Sequence, residues 1–171
     1  MRPEVTEAQS KINSTDVEVA VAKYFNYRQN LIVPNVFWGW KLRHEADIIV
    51  LRPSGWATEI EIKLTSSDIK ADLLKRYNHW ESSRIQQCFV AVPNKLHDIA
   101  LRLVPVYCGV LEVYQQRFKN FEVVTLRGAK RNPKARKISP EEKQKLAELG
   151  AMRIWDLKQA LRVRKAKKVH E

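Results

Sequence analysis

The feature that most constrains the fold is residues 46–64, which have the pattern of two β-strands joined by a tight turn. An apolar run, 48–51, is followed by the turn-forming triplet Pro-Ser-Gly at 53–55. From Glu59 to Leu64 polar and apolar residues alternate strictly. Side chains alternate across a strand, so the charged residues share one face and the aliphatic residues share the other. The charged face of this strand carries Glu59, Glu61 and Lys63.

The length of the turn decides whether Asp47 joins that charged face. A four-residue loop, 53–56, would pair Asp47 with Ile62 and place Asp47 and Glu61 on opposite faces, because a one-residue shift flips every side chain. A loop of three or five residues, or a bulge, places them on the same face. Gly55 can supply the positive φ that such a loop needs. A shared site for the two carboxylates therefore predicts an irregular turn.

Two carboxylates brought together by a hairpin, with Lys63 beside one of them, suit a hard divalent cation. Mg²⁺ takes oxygen ligands at about 2.0–2.1 Å and is usually held by one or two carboxylates plus water and phosphate oxygens. The alternative is a pair of solvated carboxylates, with Lys63 in a weak cross-strand ion pair. Glu59 could bind a second ion, but its position on the strand favours an exposed carboxylate.

An aspartate, a hairpin and a Glu-x-Lys sequence resemble the motifs of the PD-(D/E)XK nuclease superfamily. Ala46-Asp47 corresponds to the first motif, with alanine where the superfamily often has proline, and Glu61-Ile62-Lys63 corresponds to the second. The chain also resembles MmcB-like DNA repair proteins and small phage or prophage relatives, over residues 15 to 158. The residues that extend this resemblance are Ser66, Ser67, Asp68, Asp72, Lys75 and the segment 89–93.

The resemblance implies a metal-dependent DNA endonuclease or repair nuclease. Asp47, Glu61 and the main-chain carbonyl of Ile62 would bind Mg²⁺, or Mn²⁺ in its place. Lys63 would orient or deprotonate the attacking water, or stabilise charge on the phosphorane. Glu18 matches a helix glutamate that many members direct at the metal, but Thr15 and Glu18 also have capping-box spacing, and both interpretations stay open. Two other classes are a nucleic-acid-binding module that has lost turnover and a scaffold protein.

The basic charge is concentrated in the last quarter of the chain. The formal net charge is +12; residues 1–126 have 16 Lys/Arg and 14 Asp/Glu, whereas residues 127–171 have 15 and 5. Such a block is typical of a surface that binds a polyanion, and DNA is the polyanion that we expect here. A solvated tail is the alternative, because it has the same composition. The candidate contacts are Arg84, Lys130, Arg131, Lys134, Arg136, Lys137 and the basic residues within 158–168.

The order of predicted elements indicates an α/β fold, a small mixed sheet with helices on both faces, as the resemblance also implies. Residues 1–126 would form this core and residues 127–171 a basic loop and a C-terminal helical extension packed in part on it. Ser139, Pro140 and Glu142 predict the start of that helix. Gly150 is expected to break it, and the apolar residues from Leu146 to Leu161 are expected to dock on the core.

The remaining residues favour structural roles. Asp68 suits the start of a helix, Asp72 can pair with Arg76, and packing is favoured over base stacking for Trp38 and Trp40. Cys88 and Cys108 are expected to be buried thiols and not a disulfide. The chain has no apolar run of 18 residues and no signal-like start, so we expect a protein of the reducing cytoplasm that does not bind membranes.

Overall fold

A single mixed sheet of six strands forms the centre of the protein. The computed structural model describes residues 12–37, 40, 42, 44–73, 81–116 and 120–169. The elements are α1 Ser14–Tyr24, β1 Leu31–Val36, β2 Ala46–Leu51, β3 Ala57–Ile62, α2 Ser66–Leu73, β4 Ile85–Pro93, a 3₁₀ turn Asn94–Leu96, α3 His97–Leu103, β5 Gly109–Gln115, β6 Phe121–Arg127 and α4 Pro140–Val169.

The strands lie side by side in chain order, and their directions define two ends of the sheet. β2 is antiparallel to both β1 and β3, whereas β3, β4 and β5 are parallel, and β6 returns antiparallel to β5. We call the end at which β3, β4 and β5 finish the carboxyl end, and the other the amino end. β2 begins at the carboxyl end, so residues 46–47 and 61–63 lie together there.

Helices cover both faces of the sheet, which confirms the predicted fold class. On one face α1 packs Val17 and Val21 against Ile48 and Ile60 of the hairpin. On the other face α2 and α3 cover β4 and β5, and α4 lies along the edge strand β1. The acidic residues of β3 lie on this second face, because Glu59 pairs with Ile49, whose side chain packs beneath α4.

The hairpin has the irregular turn that a shared site requires. Leu51 pairs with Ala57, so the loop is residues 52–56, five residues long. Gly55 has φ 86°, in the left-handed region that favours glycine. Its amide donates to the Arg52 carbonyl at 2.9 Å. Continuing this register places Asp47 opposite Glu61, on the same face of the sheet.

α4 begins as predicted and then continues without a break. Ser139 and Glu142 form a reciprocal capping box, with side chain to main chain distances of 3.2 and 3.0 Å. The break expected at Gly150 is wrong. The helix passes so close to β1 there that a Cβ on Gly150 would lie 3.2 Å from Val33 Cγ2. The glycine permits close packing rather than ending the helix.

Only the first part of α4 docks on the sheet. Leu146 and Leu149 are buried against β1, and Arg153 Nη2 donates to the carbonyl of Asn35 at 2.7 Å. The expectation that the following apolar residues also dock is wrong, because β1 ends at Val36 and the helix runs past it. The exposed apolar residues are Met152, Ile154, Trp155, Leu157 and Leu161.

The packing of the strands decides two further predictions, one for the cysteines and one for the tryptophans. Cys88 and Cys108 are joined in a disulfide, so the prediction of buried free thiols is wrong. Phe89 pairs with Gly109, which places the preceding cysteines on neighbouring parallel strands with Cα atoms 5.0 Å apart. Trp40 is buried in the core as expected, and Trp38 lies outside the described residues.

Within the described ranges, no helix combines the length and apolar character needed to cross a membrane.

Candidate metal centre

The carboxyl end of the sheet brings together the residues of the two sequence motifs. Asp47 Oδ2 accepts a hydrogen bond from the Ile62 amide at 2.7 Å, which ties the start of β2 to the end of β3. Lys63 Nζ donates to Glu61 Oε2 at 2.9 Å. Asp47, Glu61 and Lys63 therefore lie together at one end of the hairpin. The hydrogen bond from the Ile62 amide to Asp47 connects the two strands there.

The Glu61 carboxylate lies in an environment that disfavours its charge. Its residue is 3% exposed, and its Oε1 atom has no hydrogen-bond partner among the described residues. Burial raises the pKa of Glu61 to about 7; Lys63 opposes this rise, whereas the charges of Glu59 and Asp47 add to it. A cation at this position would favour the ionised carboxylate.

The structure rules out one of the two interpretations of Glu18. The start of α1 is capped by Asn13 and Asp16, whose side chains each accept from the other's amide at 3.0 Å. The capping box of Thr15 and Glu18 is therefore wrong. Glu18 is half-buried, and its pKa is raised first by burial and then by the charge of Asp47. The glutamate thus lies within electrostatic reach of the site.

His44 is a site residue that the sequence analysis missed, and Glu59 is one for which it favoured an exposed carboxylate. Glu59 was expected to be exposed, and this is wrong: it is 0% exposed. His44 Nε2 forms a short hydrogen bond with Glu59 Oε1 and lies 3.9 Å from Glu61 Oε1. Strict alternation identified the face that Glu59 occupies, but it does not show whether helices cover that face.

α2 supplies a further carboxylate to the site. Asp72 Oδ1 lies 3.2 Å from Lys63 Nζ, so Lys63 bridges Asp72 and Glu61. The expected partner of Asp72, Arg76, lies outside the described residues. The cap of α2 is Thr65, whose hydroxyl accepts from the Asp68 amide while the Asp68 carboxylate accepts from the Thr65 amide. The four-residue spacing of Asp68 and Asp72 is the sequence signal for this contact, because it places both residues on one face of the helix. Asp68 begins the helix, and Asp72 faces the sheet one turn later.

The predicted nucleic-acid contacts of the basic loop lie away from this centre. The main chain of the basic loop, residues 128–137, donates to carbonyls of Tyr107, Gln86 and Ser83, all at the amino end of the sheet. β3 spans six residues, so the two ends are separated by about 16 Å. The side chains of Lys130, Arg131, Lys134 and Lys137 are exposed there.

Two of the predicted contacts are engaged within the protein. Arg84 and Arg136 both bind the carboxylate of Glu142, at 2.7 and 2.6 Å. Hydrogen bonds from Arg136, reinforced by Arg84, hold the pKa of Glu142 at about 2. Arg136 connects the basic loop to the first turn of α4, and Arg84 connects the start of β4 to it, so part of their charge is already balanced.

Comparisons with known proteins support the fold. No protein-family model and no curated protein matches the chain. Among solved structures, the chain is similar to the SPO1766 protein of unknown function from Silicibacter pomeroyi, with a TM-score of 0.57 and 20% identity. The match covers 92% of this chain and 94% of that one. At this identity the likeness concerns the fold alone.

The raised pKa of Glu61 predicts that the metal-free protein loses stability as pH rises. Its usual value is 4.5, and in the folded protein it is about 7. Between these values the folded state keeps a proton that the unfolded chain has lost. This stabilisation is complete below pH 4.5 and is lost as pH rises through 7, by up to about 3 kcal/mol. Urea unfolding in EDTA at pH 5, 6, 7 and 8 measures it.

A matched pair of variants assigns this pH dependence. Glu61→Gln should flatten the decline in the free energy of unfolding, whereas Glu148→Gln, on the exposed side of α4, should leave it unchanged. Added Mg²⁺ should restore stability to the wild type at pH 8, because a ligand that binds only the folded state stabilises it. The same decline in both variants would contradict this explanation.

Proposed function

We propose that the protein is a metal-dependent nuclease that hydrolyses DNA phosphodiester bonds, with a PD-(D/E)XK site formed by residues 47–63. The observation that carries this proposal is the five-residue loop of the hairpin. It puts Asp47 and Glu61 on the same face, which a four-residue loop would not. Lys63 Nζ then lies 2.9 Å from Glu61, at the position that the resemblance assigns to the catalytic lysine.

The donor groups at this site fit a hard dication. Asp47, Glu61 and the main-chain carbonyl of Ile62 would hold Mg²⁺ or Mn²⁺. Asp47 Oδ2 is occupied by the Ile62 amide, so Oδ1 is the oxygen it can offer, and Glu61 Oε1 is buried without a hydrogen-bond partner among the described residues. When bound, the ion would polarise a phosphate oxygen and lower the pKa of a water molecule.

The side chains around the donors have separate roles in this proposal. The Ile62 amide fixes the orientation of Asp47. Lys63 is held between Glu61 and Asp72, so its ammonium group is positioned to stabilise negative charge that develops on the phosphate. Glu18, half-buried near Asp47, would accept a hydrogen bond from a water molecule at the margin of the site.

The distal half of α4 is the part of the basic region best placed to hold DNA near this site. α4 starts at the amino end, where the Ile138 amide donates to Gly55, and reaches the carboxyl end at Arg153. The helix continues for 16 residues, 154–169, or about 24 Å. We call this segment the helical arm. Its basic residues are Lys158, Arg162, Arg164, Lys165, Lys167 and Lys168.

A cleavage assay with and without divalent ions tests the proposal. Full-length protein is incubated with linear, nicked, flapped, junction and single-stranded DNA, and with RNA, in Mg²⁺, in Mn²⁺ or in EDTA. We expect cleavage of at least one DNA substrate that requires the ion. Binding without cleavage of any substrate would instead favour a nucleic-acid-binding module that has kept the fold and lost turnover.

A further inference from the structure

A histidine and two glutamates form a second potential ligand set beside the proposed magnesium site. His44, Glu59 and Glu61 each offer one ligand atom, and these atoms all lie within 4.8 Å of one another. Glu59 and Glu61 are two residues apart on β3 and therefore point to the same face. His44 precedes β2 and approaches both carboxylates, bonded to Glu59 and 3.9 Å from Glu61 Oε1.

The burial of this cluster makes its negative charge unfavourable without a cation. Glu59 is 0% exposed, Glu61 is 3% exposed, and the His44 side chain is 10% exposed. Glu61 Oε1 is a buried acceptor that points towards His44 and has no hydrogen-bond partner within the described part of the chain. Buried carboxylates are stable when they are paired or bind a metal.

The charges nearby reinforce this argument. Lys63 Nζ contacts Glu61 Oε2, and His44 Nε2 contacts Glu59 Oε1. The carboxylates that surround them are Asp47, Glu59, Glu61 and Asp72. Four carboxylates therefore lie at this end of the sheet, and their negative charge would attract a dication.

The donor set indicates which cations would bind. Mg²⁺ prefers an octahedron of oxygen ligands and retains most of its water. An imidazole nitrogen together with two carboxylates instead suits first-row transition metals. We propose that His44, Glu59 and Glu61 bind a transition-metal dication such as Mn²⁺ or Zn²⁺, at a site that shares Glu61 with the proposed magnesium site. This site does not depend on whether the protein cleaves DNA.

Nitrogen coupling to bound Mn²⁺ tests the role of His44 directly. Metal-free full-length protein is loaded with one equivalent of Mn²⁺, and electron spin echo modulation from the imidazole ¹⁴N is recorded. We expect modulation in the wild type, its loss in His44→Gln, and its retention in His97→Gln, whose imidazole is paired with Glu112 elsewhere. Absence from the wild type, or persistence in His44→Gln, would overturn the proposal.

A second variant keeps the test decisive if His44→Gln does not fold. Glu59→Gln should lower Mn²⁺ affinity by at least about ten-fold in calorimetry, whereas Asp98→Asn, exposed on α3, should not. An unchanged affinity in folded Glu59→Gln overturns the site. If the wild type shows nitrogen coupling but no cleavage, the nuclease proposal is wrong and the proposed His44 site stands. If it cleaves DNA without nitrogen coupling, the His44 site is wrong and the nuclease proposal stands.

Discussion

Replacing Lys63 with alanine is expected to reduce the rate of DNA cleavage by at least about 100-fold, with little loss of DNA affinity. The reason is that a group which stabilises developing charge acts on the transition state more than on the bound ground state. A loss of this size corresponds to about 3 kcal/mol of transition-state stabilisation. Single-turnover cleavage and equilibrium binding of the same substrate measure the two effects separately.

The contacts of Lys63 also affect how the cleavage rate of Lys63→Ala is interpreted. Its ammonium group bridges Glu61 and Asp72, so alanine leaves two carboxylates without their shared cation. Some stability should be lost, and the assay needs to be done where circular dichroism shows the variant to be folded. Lys23→Ala, at the end of α1 and exposed, is the control and should cleave as the wild type does.

Asp47→Asn provides an independent test with less structural change. Asparagine keeps an oxygen that can accept from the Ile62 amide, so the link between β2 and β3 can survive while the negative charge is removed. Cleavage in Mg²⁺ should fall by a similar factor to that of the lysine variant. Cleavage at wild-type rates in both variants would mean that the reaction takes place elsewhere, or that a contaminating nuclease is responsible.

The sequence predicted the layered α/β fold and the shared face of Glu61 and Lys63, because both depend on local periodicity. It did not predict the length of the turn. Four and five residues are both compatible with Pro-Ser-Gly, and Asp47 reaches the site only with the longer loop. The backbone of Gly55 adopts φ 86° to complete that loop. This conformation depends on how the strands on either side of the turn are paired.

The errors concern contacts between elements that are distant in the sequence. His44 lies against the buried carboxylate of Glu59, and Asp72 reaches Lys63 from α2. Gly150 was expected to end a helix on its local propensity, but its role is to let α4 approach Val33. Composition assigned the basic charge to the last quarter of the chain without locating it, whereas the sheet separates the basic loop and the distal helix to opposite ends.

Deleting residues 159–171 is expected to weaken DNA binding strongly while leaving the fold intact. The deletion removes Arg162, Arg164, Lys165, Lys167 and Lys168. The docked residues Leu146, Leu149 and Arg153 remain. Each phosphate contact contributes about 0.9 to the slope of log affinity against log salt, so the loss of two contacts would lower affinity roughly 60-fold at 0.1 M salt. Binding measured from 0.05 to 0.3 M salt gives both quantities.

The basic loop is the matched control for this deletion, because it carries similar charge at the other end of the sheet. Changing Lys130, Arg131, Lys134 and Lys137 to glutamine removes four exposed charges and leaves the ion pairs of Glu142 in place. If DNA lies across the carboxyl end, this variant should lose much less affinity than the deletion and keep a steeper salt dependence. An equal or larger loss would place the DNA on the amino end instead, about one strand length from Glu61. Unchanged binding in both would mean that the basic charge serves a partner other than DNA.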